Sequence, residues 1–128
     1  MGITLSTPAR NAACDAIVDL VDGGTGDANG DLVFMTSGDS EVATLALAAP
    51  AFGASSTGTA TANTIADDAS ATGGTTALFK IQNKSNSEIF RGTVTATGGG
   101  GDIEMSSVVV GATDTVSVSS LTATMPAS

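Results

Sequence analysis

No histidine, tryptophan or tyrosine occurs in this 128-residue chain, and its single cysteine is Cys14. Without histidine the chain lacks the one side chain that titrates near neutrality unperturbed. Neither a Ser-His-Asp nor a Cys-His nucleophile system can be assembled from it. One cysteine and no histidine exclude the usual zinc sites, and Cys14 has no partner for a disulfide within the chain. Basic residues are scarce: four Lys and Arg stand against 13 Asp and Glu, a formal charge of −9. That balance opposes contact with a phosphate backbone, and no Tyr or Trp offers a ring on which bases could stack. Long apolar runs are missing as well. No stretch approaches the roughly 18 residues of a membrane span. Arg10 follows largely polar residues with no apolar segment behind it, so no secretory leader is expected. These absences lead us to expect a soluble, acidic, non-enzymatic protein made in the cytoplasm, with no metal, no cofactor, no nucleic acid and no membrane among its partners.

What is present is small. Ala, Gly, Ser and Thr occupy 70 of 128 positions, while Leu, Ile, Val and Phe together occupy only 27. That apolar share lies just above the level of roughly 20% below which a highly charged chain is disordered. The apolar residues are clustered in short runs, which points to a folded domain with a thin core. Such a core buries little area per residue, so association with itself or a partner is an expected source of further stability.

Residues 7–23 carry the one helical pattern. Thr7 is placed to cap it, and Pro8 suits the first helical position. Ala13, Ile17, Leu20 and Val21 recur at spacings of four, three and one and form the expected docking stripe, toward either the chain's own sheet or a neighbouring subunit. Asp15, Asp19 and Asp22 fall on the other side, and Gly23-Gly24 ends the helix. The chain therefore divides into an N-terminal arm and helix with a Gly-rich linker over 1–30 and a β-domain over 31–128. From residue 31 the period changes to two. Leu32 to Met35 and Val42 to Leu47 read as strands joined by a Ser37-Gly38-Asp39 turn, and Gly58 to Ile65 as a weak Thr/Ala strand. Asp67 to Gly74 reads as a polar turn region. Residues 75–97 read as a hairpin turning at Asn83 to Ser87; Ile103 to Met105 and Val108 to Val110 are short strands. Asp114 to Met125 reads as a closing strand, with Val116, Val118 and Leu121 alternating against Ser and Thr. Seven or eight short strands predict a mainly β fold, an antiparallel β-sandwich or a related β-fold, with one N-terminal α-helix.

Few residues invite a chemical reading. Asp27-Ala28-Asn29-Gly30-Asp31 offers oxygens at positions one, three and five of a calcium loop. Leu32 and Gly38 then stand where the loop requires Gly and a bidentate Glu, so a polar turn is expected. Asp67-Asp68 are adjacent carboxylates in a loop; a small hydrolase built on them is the weakest of the functional readings. Gly98 to Gly101 has no following Lys-Ser/Thr pair and is no phosphate cradle. Asn83-Lys84-Ser85 matches a glycosylation triplet that carries no meaning without secretion. Phe52, in Pro50-Ala51-Phe52-Gly53, is either a core plug or an anchor reaching into a neighbouring subunit. Ala13, Ile17, Leu20, Val21 and Phe52 are thus the candidate interface residues.

Several stretches also carry a resemblance. Leu5 to Ala13 (LSTPARNAA), running into Ala16 to Gly23, is similar to a family of small virion proteins of tailed bacteriophages. So are Ala43 to Leu47, Ala49 to Ala54, Gly58 to Asn63 and the ending Val116 to Thr122. These stretches cover most of the chain in the same order, and they are structural rather than chemical motifs. The resemblance implies a capsid decoration (cement) protein on the outer surface of the phage head, with the major capsid protein and copies of itself as partners. A homo-oligomer is expected; the alternative is a tail or fibre component that binds a host receptor. No binding residue is carried over, because the family has no site motif to match.

Overall fold

The computed structural model describes residues 2–127. Its helix α1 spans Thr7–Asp19 and tightens into a 3-10 turn over Leu20–Asp22. The cap is Ser6, one residue earlier than expected: its backbone is extended and its hydroxyl accepts from the Ala9 amide at 3.3 Å, which leaves Thr7 inside the helix and Pro8 in its first turn. Among the described residues nine strands follow: β1 (Asp31–Met35), β2 (Glu41–Ala46), β3 (Thr59–Thr61), β4 (Gly74–Thr75), β5 (Leu78–Gln82), β6 (Glu88–Ala96), β7 (Ile103–Met105), β8 (Val109–Val110) and β9 (Thr122–Thr124). The fold is mainly β with one N-terminal helix, as the sequence predicts, and its principal sheet curls into a half-barrel.

That sheet has the order β2-β1-β5-β6-β7; β3 pairs with β9, and β4 with β8. The centre follows directly from sequence. β1 lies between two antiparallel partners and buries Leu32, Val33, Phe34 and Met35, an uninterrupted apolar run of the kind a strand covered on both faces requires. Its link to β2 is a tight turn in which Asp39 takes φ 65° and the Thr36 amide bonds the Ser40 carbonyl at 2.8 Å. In the β5–β6 hairpin the Asn83 side-chain oxygen accepts from the amides of Ser85 and Ser87, an Asx-type closure, and Asn86 takes φ 62°. One core cluster gathers Leu32, Phe34, Leu45, Phe79 and Ile81 with Cys14, Val18 and Val21 from the helical region.

Three expectations are corrected. The sheet is not wholly antiparallel: β6 and β7 run parallel, with Val94 opposite Ile103. A parallel pair normally needs a crossover of a dozen residues or more. Here the glycine run lets the chain fold back along β6 within the 97–102 loop, with Gly98 and Gly100 in left-handed backbone. Second, Asp114 to Met125 is not one strand. Only Thr122–Thr124 pairs as a strand, and Val116 makes a lone bridge with Asp68, because no partner strand lies along the rest. Third, β4 arises at the end of a stretch that reads as polar turn, since Gly74 and Thr75 find Val110 and Val109 far along the chain.

Helix α1 is clasped by the opposite end of the chain. The Leu5 amide donates to Ala127 O at 2.7 Å, Arg10 Nε to Met125 O at 2.9 Å, and Cys14 Sγ to Ala123 O at 3.3 Å.

Candidate functional site

The helix carries two apolar stripes, and the structure docks the one that the sequence reading passed over. Cys14, Val18 and Val21, at spacings of four and three, are buried at 3%, 2% and 0% exposure. Of the expected stripe only Val21 belongs to this inner face. Ala13 is half-buried, while Ile17 and Leu20 are exposed at 36% and 57%. Both sets fit a helical period, so periodicity alone could not choose between them. The inner set wins because β3 and β9 lie against it and the Cys14 thiol finds the Ala123 carbonyl there. Phe52 lies in the chain's own core at 6% exposure, bridged to Ala62, and is not on the surface to reach a neighbour.

Ile17 borders an apolar groove of about 440 Å³ between α1, the β5–β6–β7 face and β9. Val18, Phe79, Phe90, Ile103 and Met125 contribute to its walls. The outer face of α1 thus combines two solvent-facing aliphatic side chains with an adjoining apolar hollow. Ile17 and Leu20 are legible in the sequence, whereas Phe90 and Ile103 come together here only through the curl of the sheet.

The acidic residues, by contrast, are largely occupied. Asp15 accepts from the Ser55 amide at 2.8 Å, Asp22 from Ala51 at 2.9 Å, and Asp114 from Gly111 at 2.8 Å. Asp68 accepts from Thr44 and Ser70, each at 2.9 Å, so its carboxylate holds backbone, while Asp67 is exposed; the adjacent pair does not converge on a common point. Charge-assisted bonds of this kind supply the partners that loop amides, and the Thr44 amide of β2, would otherwise lack. Asp102 accepts from both the amide and the hydroxyl of Thr93, which hold its carboxyl below the usual range. Asp31 is displaced upward, first because burial disfavours its charge, against a 3.3 Å bond from Gln82. Nearby, the Asp27 amide bonds Lys84 O, and the Asn29 side chain bonds Leu47 O, so that run is stitched to its neighbours as a turn. Among the described residues no group of three or more acidic or thiol side chains is placed to hold a metal ion.

Arg91 pairs with Asp39 at 3.2 Å and Glu88 at 2.7 Å. Its hydrogen bonds to Glu88 and Asp39 raise the guanidinium pKa, and the same contact lowers that of Glu88. Exposed pairs of this kind are screened by solvent and contribute little to stability. No helix among the described residues is long and apolar enough to cross a membrane. Comparison with protein-family models, with curated proteins and with solved structures found no match to this chain.

Proposed function

We propose that this chain is a structural protein of a phage particle, a capsid decoration protein that binds the assembled head through the outer face of α1. The observation that carries the reading is the pair Ile17 and Leu20, aliphatic and solvent-facing on a helix whose opposite face is already docked. The sequence resemblance to small virion proteins supplies the kind of particle. A chain without histidine, in which six of 13 carboxylates hold its own backbone amides, suits binding better than chemistry. Its net charge of −9 favours a basic or mixed shell exterior over the nucleic acid within. Binding the lattice and not the free shell subunit stabilises the particle by mass action, many times over in a structure of many copies.

The test is to strip the protein from particles, heat them, and then restore it. Restoration should raise the rupture temperature, and Ile17→Asp protein should restore much less while melting normally on its own. An unchanged rupture temperature on stripping would overturn the reading, and an electron-microscopy map with the protein on the tail would replace it with the tail or fibre alternative.

A further inference from the structure

Strand β7 is the open edge of the main sheet. In a parallel ladder alternate residues turn their backbone groups to opposite sides. The Thr97 amide donates to Met105 O at 3.0 Å, which sets Ile103 and Met105 toward β6 and leaves the N–H and C=O of Glu104 facing outward. Opposite this edge runs the segment 115–122. It is held at Val116 by Asp68 and at Leu121 by the Ala62 amide, and among the described residues the backbone of 117–120 makes no hydrogen bond within the protein. Between the two runs a cleft of about 510 Å³, with Phe34 and Val110 among its apolar lining. One outward-facing residue of an edge strand and a four-residue stretch of unbonded backbone, both lining one cleft, form an arrangement that accepts an added strand.

The charge around the cleft selects the kind of strand. Asp102, Glu104 and Asp114 line it, and no Lys or Arg does. Each carboxylate is fixed by backbone amides: Asp102 by Thr93, Glu104 by Gly98 and Gly100, Asp114 by Gly111. None of the three takes part in an ion pair among the described residues. A second copy would bring another net −9 to the contact.

We infer that this cleft receives one extended, Lys- or Arg-bearing segment of a different protein, added as a strand beside β7. Naming the donor as an arm of the shell subunit rests on the function proposed above; the chemistry of the cleft does not. The peptide's backbone bonds Glu104 on one side and 117–120 on the other, its apolar residues face Phe34 and Val110, and its cations meet the three carboxylates.

The experiment titrates the full chain with three eight-residue peptides while amide resonances are followed. One alternates Lys and Val, one alternates Glu and Val, and the third is the Lys–Val peptide with a central proline. The Lys–Val peptide should shift and protect the amides of Glu104 and 117–120, more weakly as salt rises, and the other two should leave them unmoved. Ser119→Pro, which removes one wall amide, and Glu104→Lys, which reverses the charge and frees the Gly98 and Gly100 amides but keeps the N–H and C=O of residue 104 itself, should each abolish the shifts. Unmoved amides with the Lys–Val peptide, or equal shifts with the Glu–Val peptide, would overturn the inference. On particles the two readings separate. Wild-type protein that decorates heads while Glu104→Lys protein decorates them equally well removes the shell arm from the cleft. Protein that never binds heads but takes the Lys–Val peptide at these amides overturns the decoration reading and supports the cleft.

Discussion

The central sheet and the C-terminal segment are built from much the same small-residue alphabet and are held in different ways. β1 and β5 pair over five residues, and Leu32, Phe34, Met35, Leu45 and Ile81 are at most 1% exposed. From residue 103 onward the strands are two or three residues long. There Val116 and Leu121 touch the core singly, and side-chain carboxylates or isolated backbone bonds hold the chain in place. What separates the regions is whether a large apolar residue recurs on every second position. Where it does, burial of about 25 cal/mol per Å² of apolar surface drives ladder formation; where Ser and Thr alternate with Val alone, the chain follows the surface of its neighbours.

The contrast is most easily broken by core truncation. Phe34→Ala should cost about 3–5 kcal/mol, a large part of any small domain's stability, whereas Val118→Ala should cost less than about 1.5 kcal/mol. Urea melts of the two proteins measure both, and equal losses would mean that the C-terminal segment is as much a part of the core as β1.

A next, smaller effect probes the seam between the regions. Gly92 lies opposite Phe79, and a Cβ there would come within 2.6 Å of the Phe79 ring and 2.8 Å of Asp102 Oδ2. Gly92→Ala should therefore destabilise by about 1–3 kcal/mol through overpacking, read as a lower melting temperature. At the helix, Ser6→Ala removes the cap and should cost about 1 kcal/mol, while Thr7→Ala should be nearly neutral; thermal melts of the pair check which residue caps.

The smallest effects are electrostatic and differ in sign between the 97–102 loop and β1. Asp102 ionises more readily in the fold than at its ordinary 3.8. Its stabilising contribution is therefore present above that pH and lost as pH falls through the lowered value. Asp102→Asn should flatten the acid limb of a stability profile. Asp31, in β1, is displaced upward from 3.8. Its contribution is full below that pH and is lost as pH rises through the raised value, so Asp31→Asn should stabilise the protein slightly at neutral pH and hardly at all near pH 3.

The legible parts of the molecule are those where local pattern and tertiary partner agree. β1 could be placed from its apolar run, and β2 and the β5–β6 hairpin from apolar alternation and from turns such as Asn83 to Ser87. The short strands β4 and β9 could not be bounded, since what defines them is a partner tens of residues away and not any property of Thr75 or Ala123. The helix was legible as an element but not as a surface: Ile17 and Val18 are equally good stripe members until β3 and β9 are known to lie on one side. The cleft beside β7 left no trace in sequence, because an unpaired backbone has no residue signature. The acidic side chains read as surface charge, and their use as acceptors for loop amides emerged only with the fold.

The clasp between α1 and the far end of the chain joins residues 115 and 109 positions apart through Arg10 and Cys14. A 13-residue helix on its own is marginal in water. Contacts that close so large a loop form slowly. The first element in sequence should thus be among the last to become permanent. During refolding the β-sheet signal should rise ahead of the helical one, and the residues facing out on α1 should take up their final positions only once 123–127 have arrived beneath them.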